Sequence, residues 1–163
     1  MKVLVSSCLL GENVRYDGGN SSITTDSSFT FSQKEIFMDV ICDNQVYSFC
    51  PEVSGGLETP RVVAELISAN KPFKVETIEE EDVTIPFLIG AKNALDTCVE
   101  EDIKVALLKS KSPSCGNINI YDGTFSNTLI EGQGLTARLL EENGIKVFNE
   151  TQLEDLIKFI ESN

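Results

Sequence analysis

Two kinds of apolar pattern alternate along the chain. The short run Val3-Leu4-Val5 ends at Ser6-Ser7-Cys8, as a strand buried on both faces does, and Gln45–Phe49, Lys104–Leu108 and Ile145–Phe148 read as further strands. Between them the apolar positions shift to helical spacing. Phe29–Cys42 carries Ile36, Phe37, Val40 and Ile41, and Asp82–Glu101 carries Phe87, Ala91, Ala94, Leu95 and Cys98 on one face, with Pro86 near its start. Leu135–Asn143 predicts a helix stopped by Gly144, and Leu153, Leu156, Ile157 and Ile160 stripe a last helix entered through a Thr151/Glu154 capping box. A weaker strand is expected at Val62–Ile67, and Pro72–Glu81 is a polar excursion. Asp122-Gly123 predicts a hairpin between Ile118–Tyr121 and Thr124–Phe125.

Strands alternating with helices predict an α/β fold: a single doubly wound, mostly parallel, Rossmann-like sheet with a small β-hairpin excursion. One domain over residues 1–163 is expected, since 163 residues with 41% apolar content support one core. In such sheets ligands bind outside the carboxyl ends of the strands.

Charge narrows the possible partners. A net charge of −13 repels a phosphate backbone, so no nucleic-acid partner is expected. No apolar run has the length of a membrane span and none resembles a secretion signal, so a cytoplasmic location without a membrane partner is the expectation. There the five cysteines should be reduced. The chain has no histidine, which excludes Ser-His-Asp and Cys-His catalysis and any histidine-ligated metal.

The cysteines fall into two groups. Cys42 and Cys98 lie toward the ends of predicted helices and read as small buried hydrophobes. Cys8, Cys50 and Cys115 each follow a predicted strand, and parallel strands bring such positions to one edge. Clustered thiolates suit zinc or iron–sulfur chemistry. The paired Cys-x-x-Cys spacing usual for structural zinc is missing, and three ligands on a cluster that usually takes four leave one iron open. Glu52 stands two positions past Cys50, and in an extended segment both would face one side, placing a carboxylate to act as general acid or base. Ser112, three positions before Cys115, offers a hydroxyl to a ligand, and Gly55-Gly56 and Gly116 permit close backbone approach. Arg15-Tyr16-Asp17-Gly18 reads either as a cation and aromatic face for a small ligand or as a plain surface turn. The acidic run Glu79–Asp82 reads as a solvated helix entrance.

Several blocks in order resemble the DUF523 family, whose characterised members are 2-thiouracil desulfurases. They are Ser6-Ser7-Cys8-Leu9-Leu10-Gly11, Val14-Arg15-Tyr16-Asp17-Gly18, Cys50-Pro51-Glu52-Val53-Ser54-Gly55-Gly56-Leu57, Thr59-Pro60-Arg61, Gly90-Ala91, Lys109–Gly116 and Ile120–Phe125. Val63, where the family often has proline, and Asn20-Ser21-Ser22, where a lysine is usual nearby, depart from the pattern. The resemblance implies an oxygen-sensitive [4Fe–4S] cluster on Cys8, Cys50 and Cys115, its fourth iron free of protein ligands. It also implies catalytic assistance from Glu52 and Ser112, and conversion of 2-thiouracil and water to uracil and sulfide without net redox change. A small thiolated base is therefore the expected partner. A non-catalytic cluster-binding or redox-sensing module is the alternative, and a metal-free nucleotide-binding domain, lacking a Gly-x-Gly-x-x-Gly segment, is the third reading.

Overall fold

The computed structural model describes residues 1–163 and contains the expected α/β core. Four parallel strands, β1 (Lys2–Ser6), β2 (Gln45–Phe49), β5 (Val105–Leu108) and β8 (Lys146–Asn149), stand in the order β2-β1-β5-β8. Two antiparallel pairs lie outside that sheet: β3 (Ala64–Ser68) with β4 (Lys74–Thr77), and β6 (Asn119–Tyr121) with β7 (Leu129–Glu131). The helices are α1 (Phe31–Asp43), the single turn α2 (Pro51–Ser54), α3 (Thr84–Glu100), α4 (Leu135–Glu142) and α5 (Leu153–Glu161).

Strand periodicity sorts the core into two layers. Val3, Val5, Val105 and Leu107 pack on one face against Phe37 and Val40 of α1 and Leu153 and Leu156 of α5. Leu4, Ala106, Leu108 and Val147 pack on the other against Ala94 and Cys98 of α3 and Ala137 and Leu140 of α4. Every residue of β5 is buried, which explains why its sequence is a continuous apolar run without alternation. A third cluster joins Leu66 and Val75 of the β3–β4 pair to Phe87 and Ala91 of α3, together with Ile120 and Leu135. It anchors the segment between α2 and α3 beside the sheet's carboxyl edge.

Local chemistry sets the helix ends. Thr30 caps α1 by accepting from the Gln33 N–H (3.2 Å), while Gln33 Oε1 accepts from the Thr30 N–H (2.9 Å). The box expected at Thr151 does not form. Asn149 Oδ1 takes both the N–H and the hydroxyl of Thr151 (2.8 and 2.6 Å), so α5 begins after Gln152 with no side-chain cap. The hairpin also differs from expectation. Its second strand is Leu129–Glu131, because Gly123, Phe125 and Asn127 take left-handed backbone (φ 87°, 54° and 58°) and carry the chain through a wider excursion.

Gly55 and Gly90 let α2 and α3 touch backbone to backbone. A Cβ on Gly55 would sit 2.0 Å from the Pro86 carbonyl oxygen, and one on Gly90 would sit 2.0 Å from that of Pro51. Gly55 therefore serves helix packing, whereas the sequence suggested a ligand approach. Gly90→Ala gains about 1 kcal/mol of helix propensity but forces two backbones apart. It should lose about 1–3 kcal/mol net, read as a lower urea midpoint.

Candidate functional site

The carboxyl ends of β1, β2 and β5 open into a cavity of about 360 Å³. Cys8, Cys50, Glu52, Ser112 and Cys115 all line it, so every site residue expected from the sequence reaches one place. All five cysteines are free thiols. Cys98 is buried on the inner face of α3 as expected, whereas Cys42 is exposed on α1 and not a core residue.

Each thiol is placed by different means. Cys8 sits in a 3₁₀ turn, Ser7–Leu10, that breaks off from β1 and is closed by Gly11 at φ 99°. Ser7 Oγ and Ser48 Oγ, 2.8 Å apart, tie that turn to β2. The carbonyl of Cys8 accepts from the Ser21 N–H at 2.9 Å, which folds the long loop back over the site. Cys50 directly follows β2 and precedes Pro51 at the first position of α2. Glu52 thus lies in a helical turn and not in the extended segment expected from its spacing. Cys115 closes the loop after β5. The N–H groups of Leu135, Thr136 and Ala137, left free at the start of α4, bind the carbonyls of Pro113 and Ser114 at 3.0, 2.9 and 3.2 Å. Gly134 packs so tightly there that a Cβ would lie 2.5 Å from the Ser114 carbonyl.

Ser112 has two tasks. Its Oγ accepts from the N–H of Ser114 and of Cys115 (3.1 and 3.0 Å), shaping the turn that presents Cys115. A hydroxyl has one proton to give, and with both of these bonds accepted, that proton is free for the cavity.

Arg61 is the participant that residue reading left without a role. Its Nε and Nη2 donate to the same oxygen of Glu52, Oε2, at 2.8 and 2.5 Å. Its Nη1 is held by the Glu58 carbonyl and Thr59 Oγ1 (3.1 and 3.2 Å). Glu52 is therefore fixed through one oxygen while Oε1 keeps its lone pairs. The Arg61 N–H donates to the Tyr16 carbonyl at 2.8 Å, which joins the Arg15–Gly18 loop to this pair. Both Arg15 and Tyr16 line the cavity, so that loop belongs to the site. Its neighbours in the wall include Val63, where the chain departs from the family pattern.

A buried ion pair braces the loop after β5. Glu150 bonds Lys109 Nζ, the Ser110 N–H (2.7 Å) and the Ser110 hydroxyl (2.6 Å). Burial opposes the charge on Glu150, yet Lys109 and the Ser110 bonds outweigh it and hold the carboxyl below its ordinary value of 4.5. A group with a depressed folded pKa stabilises the fold above its unfolded pKa, and that contribution disappears as pH falls through the folded value. Glu150→Gln should cost about 3 kcal/mol near neutral pH. The gap in urea midpoint from the unaltered protein should then close as pH is taken below 4.5.

Burial pushes the Cys8 thiol up to about 11, with Cys50 adding repulsion. Cys50 and Cys115 are raised as well, chiefly by burial, and Cys115 also by the two other sulfurs. Three mutually repelling thiols in a half-apolar wall are costly as bare anions and become favourable around a cation that replaces their protons. No three His, Cys, Asp or Glu side chains are arranged to grip a single metal ion. A cubane cluster spreads its ligands over separate irons, so an all-sulfur donor set disposed around a cavity fits it better than it fits a lone ion.

Three free thiols and a fixed carboxylate thus wall one cavity at the carboxyl edge of a doubly wound sheet. The family model described as 2-thiouracil desulfurase matches residues 3–152, and the chain belongs to that family. The Bacillus subtilis (strain 168) protein YbbK is 36% identical over 161 residues, covering 95% of this chain and 99% of its own. A solved structure titled [4Fe-4S]-dependent thiouracil desulfidase TudS superposes with a TM-score of 0.85 at 40% identity, covering 99% of both chains. No helix is long and apolar enough to cross a membrane.

Proposed function

We propose that this chain, with residues 1–163 acting as one domain, hydrolyses the carbon–sulfur bond of a small thiolated base such as 2-thiouracil, giving uracil and sulfide. Cys8, Cys50 and Cys115 are the ligands of a [4Fe–4S] cluster in this reading. The observation that carries it is the meeting of three free thiols, from points far apart in sequence, in the same cavity wall as Glu52. Membership of the desulfurase family and the likeness to the solved desulfidase support it.

When bound, a cluster with only three protein ligands supplies an open iron that acts as Lewis acid toward the thione sulfur. The chain's own residues do the rest. Glu52 Oε1, left free by the Arg61 clamp, accepts a proton from the water that attacks the ring carbon and returns it as the carbon–sulfur bond breaks. The Ser112 hydroxyl donates a hydrogen bond to the substrate. Atoms balance as thiouracil plus water to uracil plus hydrogen sulfide, and no electron is gained or lost.

Arg61 acts through Glu52 as a positioning residue. Arg61→Gln should retain the cluster spectrum and lower turnover about 10–100-fold, the scale of a misplaced catalytic group, with kcat falling more than KM rises. Anaerobic reconstitution with iron and sulfide, followed by absorbance and uracil release, tests the whole reading. A cluster with turnover supports it, a cluster without turnover rejects the substrate, and no cluster rejects the ligand set.

A further inference from the structure

Ser6, the last residue of β1, is 2% exposed and plays no part in the reaction described above. Its Oγ lies 3.0 Å from the Lys109 N–H, just past the end of β5. That N–H can only donate, so the serine oxygen is the acceptor. A serine hydroxyl carries one proton, and the remaining contact is Cys115 Sγ at 3.7 Å, within reach of a sulfur acceptor. The backbone of β5 therefore orients the hydroxyl and aims its proton at the sulfur. Cys115 is itself buried, so water does not compete for this bond.

We propose that Ser6 is a positioning residue that donates a hydrogen bond to the Cys115 thiolate, raises the reduction potential of the cluster and protects it from oxidation. This rests on the reading of Cys115 as a ligand. Hydrogen bonds to ligand sulfur stabilise the more negative, reduced state, which raises the potential. A raised potential makes loss of an electron to dioxygen, which is thereby reduced to superoxide, less favourable. Such protection matters for a reaction that neither consumes nor releases electrons, since the cluster must stay in one state through every turnover.

The test compares Ser6→Thr with Ser6→Val, which share a branched shape and differ only in the hydroxyl, and adds Ser6→Ala. Each is reconstituted anaerobically and titrated for midpoint potential by the EPR signal of the reduced cluster. Exchangeable protons near the cluster are counted by ENDOR in H₂O and D₂O. Ser6→Val and Ser6→Ala should assemble the cluster, show a lower potential, lose one coupled exchangeable proton and bleach faster in air. Ser6→Thr should restore all three properties. Equal potentials and equal proton couplings in the Thr and Val variants would overturn the proposal. Cys115→Ala separates the two levels: a normal cluster in that variant would reject Cys115 as a ligand and with it the premise for Ser6.

Discussion

Replacing Cys50 with alanine will abolish cluster assembly and all turnover while leaving the fold within about 0.5 kcal/mol of its original stability. The three thiols differ in what else they do. Cys8 and Cys115 belong to the packed cores on opposite faces of the sheet, so their removal also opens space there. Cys50 is half-buried and belongs to neither core, and it provides no side-chain cap to α2. Its loss thus separates chemistry from folding better than loss of either partner. The expected result is a cooperative urea transition close to that of the parent, no visible cluster absorbance after reconstitution, and uracil release at background. Retained absorbance with normal iron content would remove Cys50 from the ligand set.

Glu52→Gln will give the second large effect, a fall in turnover of about 10²–10⁴-fold, the usual contribution of a positioned acid or base. Glutamine keeps the shape and an oxygen that can accept from Arg61, so α2 and the neighbouring Cys50 should stay in place and the cluster spectrum should be unchanged. What disappears is the ability to take a proton from water. Ser112→Ala makes an informative companion, because it removes a donor to the cavity and also the acceptor that holds the Ser114 and Cys115 N–H groups. A defect confined to turnover is therefore expected for Glu52→Gln, and a mixed defect for Ser112→Ala. Normal uracil release by Glu52→Gln would assign the proton transfer elsewhere.

The sheet was legible because burial on both faces leaves an unmistakable pattern. Val3-Leu4-Val5 and Val105–Leu108 have no polar interruption, and residues following such strands must share an edge. Cys8, Cys50 and Cys115 could be brought together on that topology alone. What stayed hidden depends on side-chain geometry or on irregular backbone. The Arg61–Glu52 clamp spans a segment between α2 and β3 that has no period to read. Gly55 and Gly90 are 35 positions apart, and only the structure shows that each relieves the other's helix. Thr151 has the right spacing for a cap, yet Asn149 Oδ1 takes the Thr151 N–H that Glu154 would accept in a capping box. Cys42 follows the apolar stripe of α1 yet is exposed, and whether the end of such a stripe is covered is a matter of tertiary packing.

The strand order β2-β1-β5-β8 also bears on how the protein is made in a cell. Cys8 and Cys50 leave the ribosome early and can already be aligned by pairing of β1 with β2. The third sulfur comes only after β5 has docked on the other side of β1 and the next loop has been clasped by the start of α4. A nascent chain short of α4 therefore presents two thiols and an unfinished wall. On the proposed ligand set, the cluster can be inserted only once nearly the whole chain has been made.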